Sequence, residues 1–529
     1  MKNNLKYLLI CLISISVFIT FFGCSQETSN ESDAGTTTSS STPATTPSTP
    51  AVPTFTVTFN SVGGSEVSCQ TIESGNKATR PVNPTRAPTE TIGYTFEGWF
   101  TSSDNGTTLS AQVFNFDTAI TANITLYAKW SERQIRQVTF NSDGGSAVET
   151  QIVDLGTKAT VPTKPTKRIE KTTYAFLGWY NGDTLFDFNT SVTSGITLTA
   201  HWLEGFVEVE GMTVTQAIQN SIIFKGDAKT IRDLYVCDHE VTQKEYEKYC
   251  KYYCFGREPN RPNSREGLGD NFPVYYVSWY DAIVYCNLRS IDEGLEPVYV
   301  ISNETNPSRW PGIVSETTGS TTKYCGLGND SDFSTGWGGW AMPHTAYLEW
   351  HSFRINSNAN GYRLPHQAEW EYCARGGKNN IYNMDNLYAR ENTIADEAWY
   401  RGNYDMSGST PSFHEIKGKN PNYLGLYDII GNAWEYCNDW IVADKNGSAA
   451  SGNDDQISRL NFGESGTEPN IPDSLDSSNV EQRVARGGNN YSSFGINSHF
   501  YPDALSGLSS CREDRRDFKY GFRVVRSKF

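Results

Sequence analysis

"GYRLPHQAEWEYCARGG", residues 361–377, decides how the carboxy-terminal half of this chain folds. Pro365 suits the first turn of a helix, where its missing N–H removes no hydrogen bond. "HQAEWEYCA" continues that helix. Gly376-Gly377 ends it, because glycine enters a left-handed cap without a Cβ clash. Two further helix starts lie upstream. Thr242 and Glu245 have the spacing of a capping box, in which each side chain accepts the other residue's backbone N–H. Behind that box, Tyr246, Tyr249, Cys250 and Tyr253 share one helical face. Ser278-Trp279-Tyr280-Asp281 opens the other helix, with Trp279, Ala282, Ile283 and Cys286 on its apolar face. The remainder is rich in Gly, Asn and aromatic residues and has few long periodic runs. The pattern predicts one large α+β domain over 206–529, with short strands and much irregular chain.

Six segments then recur in a telling order: "HEVTQKEY" (239–246), "FPVYYVSWYDAIVYCN" (272–287), the opening segment, "GLYDIIGNAWEYCNDW" (425–440), "RVARGG" (483–488) and "GFRVVRS" (521–527). Together they resemble the formylglycine-generating enzyme family, also called the sulfatase-modifying factor family. The resemblance implies an irregular α+β fold related to C-type lectins. It also implies an enzyme that oxidises a sulfatase cysteine to formylglycine with oxygen and copper. The family's two active cysteines lie four and nine residues beyond the second Gly of its RGG motif. Here those positions fall on Ser492 and Asn497, and no cysteine occurs between Gly488 and Cys511. Neither a hydroxyl nor an amide holds soft copper(I) or supplies a thiolate nucleophile. Copper chemistry is therefore not expected, and catalytic residues are assigned to none of these positions. Two readings follow: a non-catalytic recognition module, or a formylglycine-generating or other oxidative enzyme of that family.

The resemblance implies a second, structural cofactor. The equivalents of Asp428, Gly431, Ala433 and Glu435 bind calcium in the family, through two side chains and two backbone carbonyls. Such oxygen donors suit a hard ion. Other chemistry is poorly supported. His344 and His351 flank Glu349 at a spacing that reads better as packing than as a metal site. Cys250 and Cys254 lie one helical turn apart and read as packed thiols or a strained disulfide, and Cys286, Cys373 and Cys437 read as buried small hydrophobes.

What fills the stretch after the RGG motif is Asn490, Tyr491, Phe494, His499, Phe500, Tyr501 and Arg512, among Ser and Gly. Rigid aromatic area with adaptable hydrogen bonding is the composition of a binding surface. Lipoproteins that resemble this family display the same segment as a ligand-binding face. A protein or glycan ligand is the expected partner. Past that stretch, Gly521-Phe522-Arg523 is expected to begin a last strand, with Phe522 and Val524 facing away from Arg523.

The amino terminus is an export signal over 1–23: Lys2 and Lys6, then the apolar run "YLLICLISISVFITFF" (7–22), then Gly23-Cys24. It resembles a bacterial lipoprotein signal, which implies cleavage before Cys24 and acylation of its thiol. The lipid bilayer is then a second partner, and the chain is expected in the bacterial cell envelope, on either its periplasmic or its surface face. Residues 24–53 form a Ser/Thr/Pro-rich linker with too little apolar area to fold. Two repeats follow, over 54–131 and 136–203. "VTFNSVGGS" matches "VTFNSDGGS", "YTFEGWF" matches "YAFLGWY", and "NITLYAKW" matches "GITLTAHW". They resemble the Listeria–Bacteroides repeat family, which implies small β-grasp-like modules. The net charge of −16 argues against nucleic acid as a partner.

Overall fold

The computed structural model describes residues 52–218, 221, 223–224, 226–252, 261–327, 353–382, 394–400, 412–443, 480–489, 509–511 and 519–528. They divide into two compact units. One runs up to Thr139 and adds Thr150–Val161 and Asp187–Ile196. The other comprises Phe140–Glu149, Pro162–Phe186 and the chain from Thr197 on.

The repeated residues build the same core twice. In the first unit the strand Thr54–Asn60 pairs antiparallel with Gln70–Glu73 and parallel with Ile124–Asn141, which also pairs antiparallel with Ile92–Phe100. Trp99 stands edge-on to Phe59 at 4.9 Å and to Phe96 at 5.5 Å. In the other unit Trp179 meets Phe140 at 4.9 Å and Phe176 at 5.5 Å. The glycine before each tryptophan sits at a β-bulge with positive φ, +148° at Gly98 and +141° at Gly178. The double-glycine turn has a packing cause. A Cβ on Gly64 would lie 2.6 Å from the Trp130 ring, and one on Gly145 would lie 2.5 Å from Trp202. Each ring also donates its indole N–H back to the turn, to the carbonyl of Ser61 or Ser142.

The large domain is sheet-rich with few helices. One sheet runs Phe206–Val209, Leu234–Cys237, Val525–Ser527, Tyr362–Arg363, all antiparallel. The other runs Ser509–Cys511, Val480–Arg486, Trp434–Ala443, Tyr520–Gly521, with the last pair parallel. A capping box forms at both expected helix starts. Thr242 Oγ1 accepts the N–H of Glu245 and Glu245 Oε2 accepts that of Thr242; Ser278 and Asp281 do the same. Tyr246 and Cys250 are buried and Tyr249 is half-buried, while Tyr253 lies outside the described residues. The helix Trp279–Asp292 is buried on all sides through Asn287, not on one face only. Its polar groups find partners inside: Trp279 Nε1 donates to the Cys437 carbonyl, and Asp281 accepts the Tyr324 hydroxyl.

Two expectations need correction. Pro365 precedes the helix rather than entering it. The helix is Gln367–Ala374, because extended His366 is its cap and donates its N–H to Glu369 Oε2. The last strand is split. Tyr520–Gly521 and Val525–Ser527 pair in different sheets, and 522–524 cross between them. Cys250 is a buried thiol at the helix end, as its packed-thiol reading has it; Cys325 is disulfide-bonded, and Cys254 lies outside the described residues.

The charged letters of the motifs also acquire causes. Arg363 binds Glu369 through two contacts of 2.6 and 2.8 Å. Glu371 receives Arg375 at 2.7 Å and Arg486 at 2.8 Å, all three fully buried. The two acids of "AEWE" thus serve different arginines and tie the helix to the strand Val480–Arg486.

Candidate functional site

The described part of the site is the meeting of two turns. Asp428, Gly431 and Asn432 have φ of +51°, +84° and +54°, so "DIIGN" coils tightly. Gly431 is obligatory there: a Cβ would sit 2.2 Å from the Trp399 carbonyl oxygen. Its N–H donates to the Gly487 carbonyl at 2.9 Å, which locks the RGG turn onto this coil. Gly487 and Gly488, at φ +98° and +79°, turn the chain out of the strand Val480–Arg486. The chain returns as Ser509–Cys511, antiparallel to the same strand, with Ser509 opposite Ala485 and Cys511 opposite Arg483. Backbone pairing thus holds Ala485 beside Ser509 in one sheet.

Beneath the turns lies a buried ionic core. Arg523 donates to Glu435 Oε1 from Nη2 at 2.7 Å, and its Nε lies 3.1 Å from each carboxylate oxygen. Trp370 Nε1 donates to Glu435 Oε2 at 2.8 Å. Arg523 also binds the carbonyls of Cys237 and Tyr427. Glu240, which sequence reasoning missed, accepts the Ala433 N–H at 2.9 Å and the Asn432 side-chain amide at 2.7 Å. The signal was there: an acid embedded between apolar strand and helix cap in "CDHEVT". Three buried carboxylates thus surround one guanidinium. Burial, then the like charges of Asp428 and Glu435, push Glu240 well up. Burial pushes Asp428 up to about 6, with Glu435 adding to the shift and the Lys417 N–H and Arg523 opposing it.

The calcium ligand set can be tested against this geometry. Asp428 Oδ2 accepts the Lys417 N–H at 2.7 Å, but buried Oδ1 has no hydrogen-bond partner among the described residues. An orphaned carboxylate oxygen in an acid-rich core fits a hard cation. Gly431 and Ala433 lie in the same coil. Glu435 is already engaged by Arg523 and Trp370, so an ion here would share it with Arg523.

Ser492, Asn497, Asn490, Tyr491, Phe494, His499, Phe500, Tyr501 and Arg512 lie outside the described residues, as do Cys24, His344 and His351. Cys286, Cys373 and Cys437 are buried on separate elements, and burial pushes each thiol up, so they stay protonated.

Comparison with known proteins places this site. The Sulfatase-modifying factor enzyme 1-like domain matches residues 203–528. The chain belongs to the sulfatase-modifying factor family. The Listeria-Bacteroides repeat domain matches 55–129 and 137–201. A relative called chaperone protein LppX, from Paenibacillus barcinonensis, is 32% identical over 223 residues, 40% of this chain and 64% of that one. The formylglycine-generating enzyme of Streptomyces coelicolor is 31% identical over 108 residues, 18% of this chain and 32% of that enzyme. The chain thus spans less than two thirds of either relative. Among solved structures, Treponema denticola variable protein 1 is 24% identical with a TM-score of 0.39, covering 62% of this chain and 96% of that one. The RGG turn and the ionic core both lie within the residues that the family matches. Among the described residues, no helix is long and apolar enough to cross a membrane.

Proposed function

We propose that this chain is a lipid-anchored cell-envelope protein whose sulfatase-modifying factor domain recognises a protein or glycan without carrying out formylglycine chemistry. One observation carries the reading: no cysteine lies between Gly488 and Cys511, and the resemblance puts Ser492 and Asn497 where the family's chemistry needs two thiolates. The protonated state of the buried Cys286, Cys373 and Cys437 supports it, as does the pairing of Val480–Arg486 with Ser509–Cys511 in one sheet. Loops held by a rigid scaffold are where binding residues concentrate. Acylated Cys24 and the linker would hold the domain off the bilayer, with the repeats as β-grasp-like spacers between. The parallel pairing of Val57–Asn60 with Ile124–Tyr127 in the first repeat supports that fold for them.

The test replaces Tyr491, Phe494, Phe500 and Tyr501 together with alanine. Thermal unfolding should change little, while binding to arrayed matrix proteins, glycans or whole cells should weaken by about 1 kcal/mol or more for each aromatic anchor. Unfolding of the fourfold variant would place those rings in the core and end the recognition reading.

Calcium belongs to the same proposal. With Asp428 Oδ1 available, a chelator should lower Tm and added calcium should restore it. Saturation at one hundred times Kd is worth about 2.7 kcal/mol. Asp428→Asn, which keeps an oxygen but removes the charge, should blunt the response. A wild type indifferent to both chelator and calcium rules the ion out.

A further inference from the structure

A cluster elsewhere in the domain is not used by anything above. Cys237, Asp238 and His239 are consecutive, buried, and bring one ligand atom each within 4.8 Å of the others. Cys237 Sγ lies 3.6 Å from His239 Nδ1, and Asp238 Oδ1 lies 2.5 Å from the same nitrogen. We propose that Cys237, Asp238 and His239 form a binding site for a thiophilic divalent metal ion of the zinc class.

The distances suit such an ion. Zinc binds thiolate at about 2.3 Å and imidazole at about 2.0–2.1 Å. Two vertices of that tetrahedron stand roughly 3.6 Å apart by simple trigonometry, the separation found between Sγ and Nδ1. The far ring nitrogen supplies a second, independent sign. His239 Nε2 lies 3.3 Å from Glu245 Oε2, and Glu245 is itself fixed by the Thr242 cap. A carboxylate holding the outer N–H of a histidine, so that its other nitrogen faces a metal, is the usual support of a metal-bound imidazole.

An ion bound by both Nδ1 and Asp238 Oδ1 must open their 2.5 Å contact to roughly 3.4 Å for two short metal bonds. The opposing charges are Lys417, whose Nζ is 2.8 Å from Asp238 Oδ1, and Arg289, 3.8 Å from Glu245. Thr173 holds Asp238 Oδ2 through its N–H and hydroxyl, which leaves Oδ1 as the metal-facing oxygen. The His239 side chain, about 11% exposed, gives the route in.

The test uses the full chain, stripped with chelator and titrated with cobalt(II). One ion per chain should bind, with a near-ultraviolet thiolate-to-cobalt charge-transfer band that zinc(II) abolishes by displacement. Cys237→Ser should lose the band. Glu245→Gln should keep the band but weaken binding about 10–100-fold, as removal of a supporting partner does. If Cys237→Ser does not fold, His239→Gln must lose the ion instead. A folded wild type without the band, or a band that survives Cys237→Ser, overturns the site.

Discussion

Arg523→Met should destabilise the carboxy-terminal domain by about 3–5 kcal/mol, as removal of one partner of a buried ion pair does. Methionine fills much of the same volume, so the loss is electrostatic rather than a cavity. Glu435 would keep only Trp370 as a donor, while Glu240 and Asp428 remain buried beside it. The pH dependence follows from sign. The folded pKa values of Glu240 and Asp428 already lie above their unfolded ones, Arg523 holds both down, and without the guanidinium they rise further; such groups destabilise once ionised. The deficit should therefore be larger near pH 7.5 than near pH 5, because protonation at lower pH relieves it. Adding Glu435→Gln should recover part of the loss. Urea denaturation of the wild type, single and double variants at both pH values measures each term. A deficit independent of pH would show that the carboxylates are not the cause.

Phe522→Ala should cost a comparable amount, about 3–5 kcal/mol, for a different reason. Phe522 is fully buried, meets the Tyr285 ring at 5.4 Å, and packs in the cluster that includes Val241, Val274 and Val524. Its carbonyl accepts the Val241 N–H at 2.9 Å, so the backbone is pinned and the cavity cannot collapse easily. Unlike Arg523→Met, this loss should be nearly the same at both pH values, since no charge changes. The two adjacent substitutions thus separate an ionic core from an apolar one at neighbouring positions of the chain.

The sequence made some of this legible and hid the rest for physical reasons. Helix starts at Thr242 and Ser278 could be read because a capping box is local: two side chains and two N–H groups within four residues. The double glycine and terminal tryptophan of each repeat could be matched, but that the tryptophan forbids a Cβ on the glycine is a contact across the whole repeat. Asp428 and Glu435 were found by resemblance. Glu240 was not, since its partners Asn432 and Ala433 are nearly two hundred positions away in the chain. The Cys237-Asp238-His239 cluster escaped because its meaning depends on Glu245 and Lys417, which the fold alone brings to it. Pro365 was misplaced by one turn element, because the carboxylate of Glu369 selected His366 as the cap.

The central claim is that a sulfatase-modifying factor scaffold here works without the family's oxidation. The direct measurement incubates the full chain with a sulfatase-type cysteine peptide, copper and oxygen, and follows the peptide by mass spectrometry. The expected result is an unchanged cysteine. Conversion to the formylglycine aldehyde, lost in Cys511→Ser, would contradict it.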